Sequence, residues 1–388
     1  MHVGIFTNTY LPTVNGVANS IEAFRQGLEA LGHGVYVFAP SVPGQAPNEP
    51  HVVRYPAMPA PARVQYPLAL PFSPRVRRAL TRTPLDIVHT QHPWWVGSWG
   101  ASHARRLGVP LVTTIHTQYE QYLHYILLPQ ALLRPLIHGQ VLRYCDRCDL
   151  VATPGESMAD RLRAQGVRSP VEVLPNATDL APFSGADGQP VRGRFGIGAD
   201  ELLLLSAGRI APEKSLDVLL QAFARVARDG PRTRLLLVGD GPALSDLRSL
   251  AATLGIAERV AFAGRVPYAE MPPYHAAADL FVMTSRTEVQ PLVLTEAMAA
   301  GSVVVAVRAP GPQDMLRDGE TGLLSPPEAG AEGFADAVRR AVSDRGLRER
   351  LAAAGRREAQ RYDIPNATQR LLGIYELARQ RHAAPPRG

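Results

Sequence analysis

Residues 280–307 read LFVMTSRTEVQPLVLTEAMAAGSVVVAV. Leu280–Thr284 is a short apolar run bounded by polar residues, the pattern of a strand covered on both faces. Ser285 and Arg286 begin a polar turn. Pro291 suits the start of a helix, because no N–H is needed there and its φ is already set. Leu292–Ala300 then offers mostly good helix formers. Gly301 supplies the left-handed residue that commonly follows a helix, and Ser302–Val307 is a second apolar run. Strand, helix and strand in this order make one βαβ unit of a parallel sheet.

The same rhythm runs outward on both sides. Strands are expected at Leu202–Ala207, Arg234–Val238 and Val260–Ala263, and helices at Ser215–Arg228, Ala243–Leu254, Tyr268–Ala276 and Glu332–Val342. Upstream, strands are expected at His2–Thr7, Val35–Ala39, Asp86–His89, Pro110–Ile115, Leu150–Thr153 and Val171–Leu174, with a helix at Val17–Leu31. Pro56 to Pro84 reads as a proline-rich irregular excursion. Asn176 to Asp200 reads as a linker, with Gly, Pro and Asp and few large apolar residues. The chain has 388 residues, beyond the ~250–300 at which a single core stops growing. The fold class is therefore α/β, with two doubly wound parallel-sheet domains at 1–185 and 195–360. A long helical stretch from about Arg345 to Arg381 should pack back across both domains, with 361–388 as the part that crosses back to the first, and the Ala-Ala-Pro-Pro-Arg-Gly tail from Ala383 should be disordered.

Composition narrows the function. With 46% hydrophobic and 20% charged residues, the chain is an ordinary folded protein. The first strand follows Met1 directly, which leaves no leader pattern. Apolar runs such as Leu202–Leu205 are far below the ~20 residues that cross a bilayer. A cytoplasmic protein, peripheral at the inner face of the cell membrane if it meets a membrane, is expected. Cys145 and Cys148 have the spacing of a redox pair or of half a zinc site, but no second pair completes a zinc site. They should be unpaired thiols on one helix in a reducing compartment. The net charge is +6. A basic balance favours phosphorylated ligands or anionic surfaces, and no Lys/Arg run resembles a nucleic-acid arm. Of the 41 Lys and Arg residues one is a lysine, Lys214. A lysine kept where arginine is otherwise used marks a place for a compact point charge.

Ligands of doubly wound sheets bind beyond the carboxyl ends of the strands, so the residues there are the candidates. Gly208, Arg209 and Glu213-Lys214 follow one strand, and Gly239-Asp240-Gly241 the next. Gly264-Arg265 with Val266 follow a third, and Ser285 to Glu288 a fourth. In the first half, a long loop leads to Gly16, and His116 stands at a strand end. Arg209 and Lys214 bracket a turn at a helix start, where the backbone also favours phosphate. Two cations there could neutralise a diphosphate leaving group without a metal. Glu288 and Glu296 lie on either side of the helix start. With the helix beginning at Pro291, Glu296 sits roughly 7–8 Å along its axis. Carboxylates at that separation can accept hydrogen bonds from different hydroxyl-bearing parts of one long ligand.

Taken together, Asn15-Gly16-Val17, Gly208-Arg209, Glu213-Lys214, Gly239-Asp240-Gly241, Glu288 to Glu296 with Ala297-Met298-Ala299-Ala300-Gly301, and Asp318 to Leu324 resemble the retaining GT-B glycosyltransferases of family four, over nearly the whole chain. The resemblance implies two Rossmann-like domains facing across a cleft. Arg209 and Lys214 would hold the donor diphosphate, Glu288 the donor sugar, and Glu296 the ribose. Amides at Gln290, Pro291 and Leu292 would meet sugar or phosphate, although Pro291, where many members have Gly, lacks its donor. Arg265 and Val266 would line the base pocket, and Gly208, Gly239 and Gly16 would allow close approach. His116 would lie near the donor sugar. Asp314 stands where many members carry Glu, and Asn176-Ala177-Thr178-Asp179 replaces the commoner Asn-Gly-Val-Asp.

His116 to Tyr125 looks like the bacterial diacylglycerol glucosyltransferases. The apolar stretch Ile126 to Leu142, with Arg134 and Arg143, and the segment Tyr66 to Arg82, with Leu70, Phe72, Leu80, Arg75, Arg77 and Arg78, have the composition of membrane-surface segments. The expected function is retaining, metal-independent hexose transfer from an NDP-sugar, chiefly a UDP-sugar, to a lipid acceptor, with no cofactor and no nucleic-acid partner. The alternatives are a soluble or polysaccharide acceptor, a nucleotide-sugar epimerase, and a non-catalytic nucleotide-sugar binder.

Overall fold

The computed structural model describes residues 1–13, 15–46, 49–58, 67–70, 73–117, 130–229 and 232–384. The chain divides into two compact units, Met1–Ala177 with Ile364–Gly388, and Thr178–Asp363.

The first unit runs β1 (His2–Phe6), α1 (Gly16–Ala30), β2 (Gly34–Pro40), β3 (Val52–Tyr55), β4 (Ala57–Met58), β5 (Leu68–Ala69), α2 (Pro74–Arg82), β6 (Ile87–Thr90), α3 (Val96–Leu107), β7 (Leu111–Thr114), α4 (Gln130–Cys145), β8 (Leu150–Thr153), α5 (Glu156–Ala164) and β9 (Val171–Val173). Seven strands pair in parallel in the order β3-β2-β1-β6-β7-β8-β9, and β4 and β5 form a separate antiparallel pair. Asn15 caps α1, its Oδ1 accepting from the Ala18 N–H at 2.9 Å. The inward face of α1, with Ile21, Phe24 and Leu28, packs on Val3, Ile5, Val35 and Val37. The last helix of the chain (Ile364–Ala383, α15 below) adds Leu371, Ile374, Tyr375 and Ala378 to that core.

The second unit runs α6 (Ala181–Ser184), α7 (Gln189–Arg194), β10 (Leu202–Ala207), a 3-10 turn (Pro212–Lys214), α8 (Leu216–Asp229), β11 (Thr233–Val238), α9 (Leu244–Thr253), β12 (Val260–Gly264), α10 (Pro272–Ala277), β13 (Leu280–Met283), α11 (Leu292–Ala300), β14 (Val303–Val307), α12 (Pro310–Met315), β15 (Leu323–Ser325), α13 (Gly330–Ser343) and α14 (Arg345–Ala359). Its six parallel strands lie in the order β12-β11-β10-β13-β14-β15. Each central strand buries alternate side chains on opposite faces. Leu204, Leu235, Leu237, Val282 and Val305 face one core with α8 and α13. Leu203, Leu205, Leu236, Phe281 and Val304 face the other with α10 and α11. Burial on both sides is why these strands read as unbroken apolar runs.

Several expectations are corrected. Within Pro56 to Pro84 the chain forms β4, β5 and α2, the last capped by Ser73, whose Oγ accepts from the Val76 N–H at 3.3 Å. Residues 178–200 are not a bare linker. Leu180, Phe183, Val191 and Ile197 are buried in the second unit, and the Arg192 guanidinium donates to Ala277 O at 2.8 Å and Gly198 O at 3.0 Å. A few well-spaced apolar residues suffice to dock two short helices. The final helical stretch is broken, since α14 ends in a 3-10 turn at Gln360–Tyr362 and Asp363 is extended. Ile364 then opens a fresh helix with Pro365 in its first turn, where no N–H is needed. Cys145 closes α4, while Cys148 lies in the turn beyond it; both thiols are free and buried. Of the tail from Ala383 to Gly388 that was expected to be disordered, Ala383 ends the last helix, and residues 385–388 lie outside the described residues.

In each sheet the chain leaves one central strand in both directions, between β1 and β6 and between β10 and β13. Loops diverge at such a point and leave a crevice at the strands' carboxyl ends.

Candidate active site

The loops after β10 and β13 meet at the switch point of the second unit. Lys214 ends the 3-10 turn after β10, and its Nζ is ion-paired with Glu288 Oε1 in the loop after β13. Two features aim the lysine. Ser215 takes a left-handed backbone, φ 52°, which turns the chain sharply into α8. Thr284, at the end of β13, donates its hydroxyl to Ser215 O at 2.8 Å and Lys214 O at 3.2 Å, tying the strand to the turn. Ser285 Oγ donates to Glu288 Oε1 at 3.1 Å. Arg209 is ion-paired with Glu213 across the same turn. Both predicted cations thus stand at one rim, each with a carboxylate partner.

The neighbouring loops are laced together by backbone. Gly208 N–H donates to Val238 O at 2.9 Å, Ile210 N–H to Asp240 O at 2.9 Å, and Gly239 N–H to Gly264 O at 2.9 Å. Gly239 has φ 136°, and a Cβ there would lie 1.8 Å from Gly208 O. Only glycine fits that contact. Arg265, exposed, and Val266, half-buried, continue from Gly264.

Gln290 is buried, and Pro291 stands at the N-cap of α11 without a side-chain hydrogen bond. The first-turn amides beginning at Leu292 therefore project from the helix end. The loop before it is held by Gly311 N–H, which donates to Glu288 O at 3.0 Å. Glu296 lies farther along α11 and is only 3% exposed. Its Oε1 accepts from the Tyr268 hydroxyl at 3.0 Å, and its Oε2 lies 3.3 Å from His275 Nε2. Burial, with the Glu296 charge behind it, pushes the Tyr268 phenol up, so it remains a donor. Thus Gly208, Arg209, Lys214, Gly239, Arg265, Val266, Glu288, Gln290, Pro291, Leu292 and Glu296 all belong to the second unit, on loops and a helix that follow β10 to β13.

Gly16 and His116 belong to the first unit. Gly16 is the exposed first residue of α1. His116 follows β7, and its Nε2 pairs with Gln91 Oε1 at 2.6 Å. Burial, together with the nearby His92 and His89, pushes its pKa well below the usual histidine range. A neutral imidazole that donates from Nε2 leaves Nδ1 as an acceptor, and Nδ1 has no hydrogen-bond partner among the described residues. The loop after β6 is shaped by Asn8 at the end of β1. Its Nδ2 donates to Trp94 O at 3.4 Å and its Oδ1 accepts from Val96 N–H at 3.2 Å. Trp95 between them is held at φ 48° and is 51% exposed. The segment Gln118 to Tyr125 lies outside the described residues. Among the described residues no group of three or more His, Cys, Asp or Glu side chains is arranged to hold a metal.

Two family models match the chain. Residues 14–182 match Glycosyltransferase Family 4, and residues 189–358 match Glycosyl transferases group 1. The alpha-monoglucosyldiacylglycerol synthase of Streptococcus pneumoniae is 34% identical over 84% of this chain and 75% of its own length. The enzyme of the same name from Acholeplasma laidlawii is 31% identical over 84% of each chain. This chain belongs to the family 4 glycosyltransferases. The crystal structure of Anabaena HepE in complex with UDP shares the fold, with a TM-score of 0.77 and 19% identity over 97% of this chain and 100% of that one.

In this family 4 glycosyltransferase the structure also places beside the candidate residues several that the sequence did not single out. Thr284 closes the expected strand whose following residues, Ser285 to Glu288, were already candidates, so its position was the available signal. Tyr268 and His275 come from helical stretches with no motif, and only the fold brings them to Glu296. Gln91 and His92 follow the predicted strand Asp86–His89 and were open to the same strand-end argument as His116.

Proposed function

We propose that this glycosyltransferase moves a hexose from a UDP-sugar to the hydroxyl of a diacylglycerol-type lipid with retention of configuration and without a metal or cofactor. The Lys214–Glu288 pair across the β10/β13 switch point carries the reading, because it sets a cation for phosphate beside a carboxylate for sugar hydroxyls. A donor diphosphate competes with Glu213 and Glu288 for Arg209 and Lys214, and the freed Glu288 carboxylate turns to the sugar. As the bond from the anomeric carbon to the phosphate oxygen breaks, negative charge grows on the diphosphate and the two cations oppose it. The acceptor oxygen bonds the same carbon on the same face. Its proton ends on the departing phosphate, the base that the reaction itself creates.

The lipid acceptor is supported by the names of the two relatives. A peripheral membrane face is supported by α2, where Arg77, Arg78 and Arg82 are exposed over the buried Val76, and by α4, where Arg134 and Arg143 are exposed beside Leu136, 61% exposed. Cations beside apolar residues attract anionic surfaces.

The test is nucleotide release from a panel of UDP- and GDP-sugars in EDTA, with and without diacylglycerol vesicles. Release only with UDP-sugar and vesicles, plus an α-linked glycolipid, is the expected result. Release to soluble sugars alone would discard the lipid acceptor, and donor conversion with no acceptor would point to an epimerase.

A further inference from the structure

We propose that His275 is a positioning residue for the donor, fixing the Glu296 carboxylate in the orientation that takes the ribose hydroxyls. The inference rests on the reading of Glu296 as the ribose carboxylate.

His275 is fully buried, and its ring has little freedom. Phe281 stacks on it, with centroids 5.5 Å apart and planes 18° apart, and Phe183 meets it edge-on at 5.4 Å. Its backbone is fixed too, as Ser302 Oγ donates to His275 O at 3.1 Å. Nε2 nevertheless lies 3.3 Å from Glu296 Oε2 without hydrogen-bond alignment, and neither ring nitrogen has a hydrogen-bond partner among the described residues. A buried unpaired donor is costly. An apolar ring between two phenylalanines would pack as well without that cost, so a purely structural role does not account for an imidazole here.

Glu296 explains it. Tyr268 already holds Oε1, and His275 faces Oε2. A carboxylate offers about four lone-pair sites. With one donor at each oxygen, the remaining sites are directed and can each take a hydroxyl. Hydrogen bonds of this kind often tighten only once the ligand is engaged. Tyr268 stands three residues beyond Arg265, so the same network joins the base loop to the ribose carboxylate.

The test is calorimetric binding of UDP and GDP and of their 2′,3′-dideoxy forms. Hydrogen bonds to a charged group make the wild type prefer the ribo form of its nucleotide by roughly 10- to 100-fold. His275→Phe, which fits the aromatic pocket, should cut that preference to about threefold while leaving dideoxy binding unchanged. His275→Gln, which restores an N–H donor, should recover most of it. Glu296→Ala should abolish it. Loss of both forms in parallel in His275→Phe, or an unchanged preference there while Glu296→Ala loses it, would overturn the role of His275. An unchanged preference in Glu296→Ala would overturn the ribose assignment itself. Thermal melting identifies a variant that fails to fold, and His275→Leu then takes the place of His275→Phe.

Discussion

Lys214 and Glu288, 74 residues apart in sequence, form an ion pair across the point where the second sheet reverses its strand order. Both side chains are partly exposed, at 29% and 21%. Such a pair contributes at most about 1 kcal/mol to stability, yet a diphosphate placed there feels the whole cation. Lys214→Ala should therefore lower turnover by roughly 10²- to 10³-fold while the melting temperature moves by no more than about 4 °C. Lys214→Arg should also lose on the order of tenfold, since a planar fork does not replace a point charge. Nucleotide release and thermal melting check both. Near-normal turnover in Lys214→Ala would remove the lysine from the phosphate site.

Gly239 and Gly208 make a paired test of the rim proposed to take the phosphate. Both have positive φ, 136° and 142°, but only at Gly239 would a Cβ strike backbone, Gly208 O at 1.8 Å. Gly208 can take a side chain at the cost of strain alone. Gly208→Ala should cost about 1–2 kcal/mol and Gly239→Ala about 3 kcal/mol or more, because the struck carbonyl belongs to a loop pinned on both sides. Urea unfolding should rank them in that order, and nucleotide affinity should fall more in Gly239→Ala. The reverse order would mean that the two loops are not locked together as described.

The parts that were legible in the sequence share a physical cause. β10, β11, β13 and β14 are buried on both faces, so their apolar runs are continuous and their ends are sharp. β3 was missed because Arg54 sits inside it. Arg54 is 9% exposed and its guanidinium is satisfied by Glu49, Pro40 O and Leu11 O, a burial that no local pattern announces. β15 is three residues long, too short to show a period. Among the site residues, Lys214 stood out as the single lysine and Glu288 as a strand-end carboxylate. His275 reaches Glu296 only through packing of α10 on α11, so nothing in its own neighbourhood marked it.

The histidines of the first unit should make it sensitive to acid. Burial lowers His89 to about 3 and His92 to about 4. In the unfolded chain they titrate near ~6.5. Above that pH neither state binds these protons, and the stability is fully present. As pH falls below it, the unfolded chain takes up protons that the native state refuses, and stability drops by up to about 1.4 kcal/mol per pH unit for each histidine until the folded values are reached. Urea midpoints of the first unit should fall steadily from pH 7 to 5. His92→Leu should lower this slope by about a third, since burial pushes His89 and His116 down as well, and His92 Nε2 has no hydrogen-bond partner to lose among the described residues. A slope unchanged in that variant would assign the acid sensitivity elsewhere.

The last helix should be indispensable to the unit that begins the chain. α15 buries Ala367, Leu371, Ile374, Tyr375 and Ala378 at 1% exposure or less in the core of β1, β2 and α1. The Tyr375 hydroxyl also pairs with His89 Nδ1 at 2.9 Å, inside β6. Burying Leu371, Ile374 and Tyr375 is worth about 1.5–3 kcal/mol each. Their sum alone is comparable with the ~5–15 kcal/mol that stabilises a domain. Ending the chain after Asp363 should therefore unfold the first unit and leave the second folded, because Thr178–Asp363 retains both of its own cores. Two melting transitions in the full chain, of which only the second survives truncation, is the expected calorimetric result. A truncated chain that keeps both transitions would show that the first sheet holds its fold without the helix that returns to it.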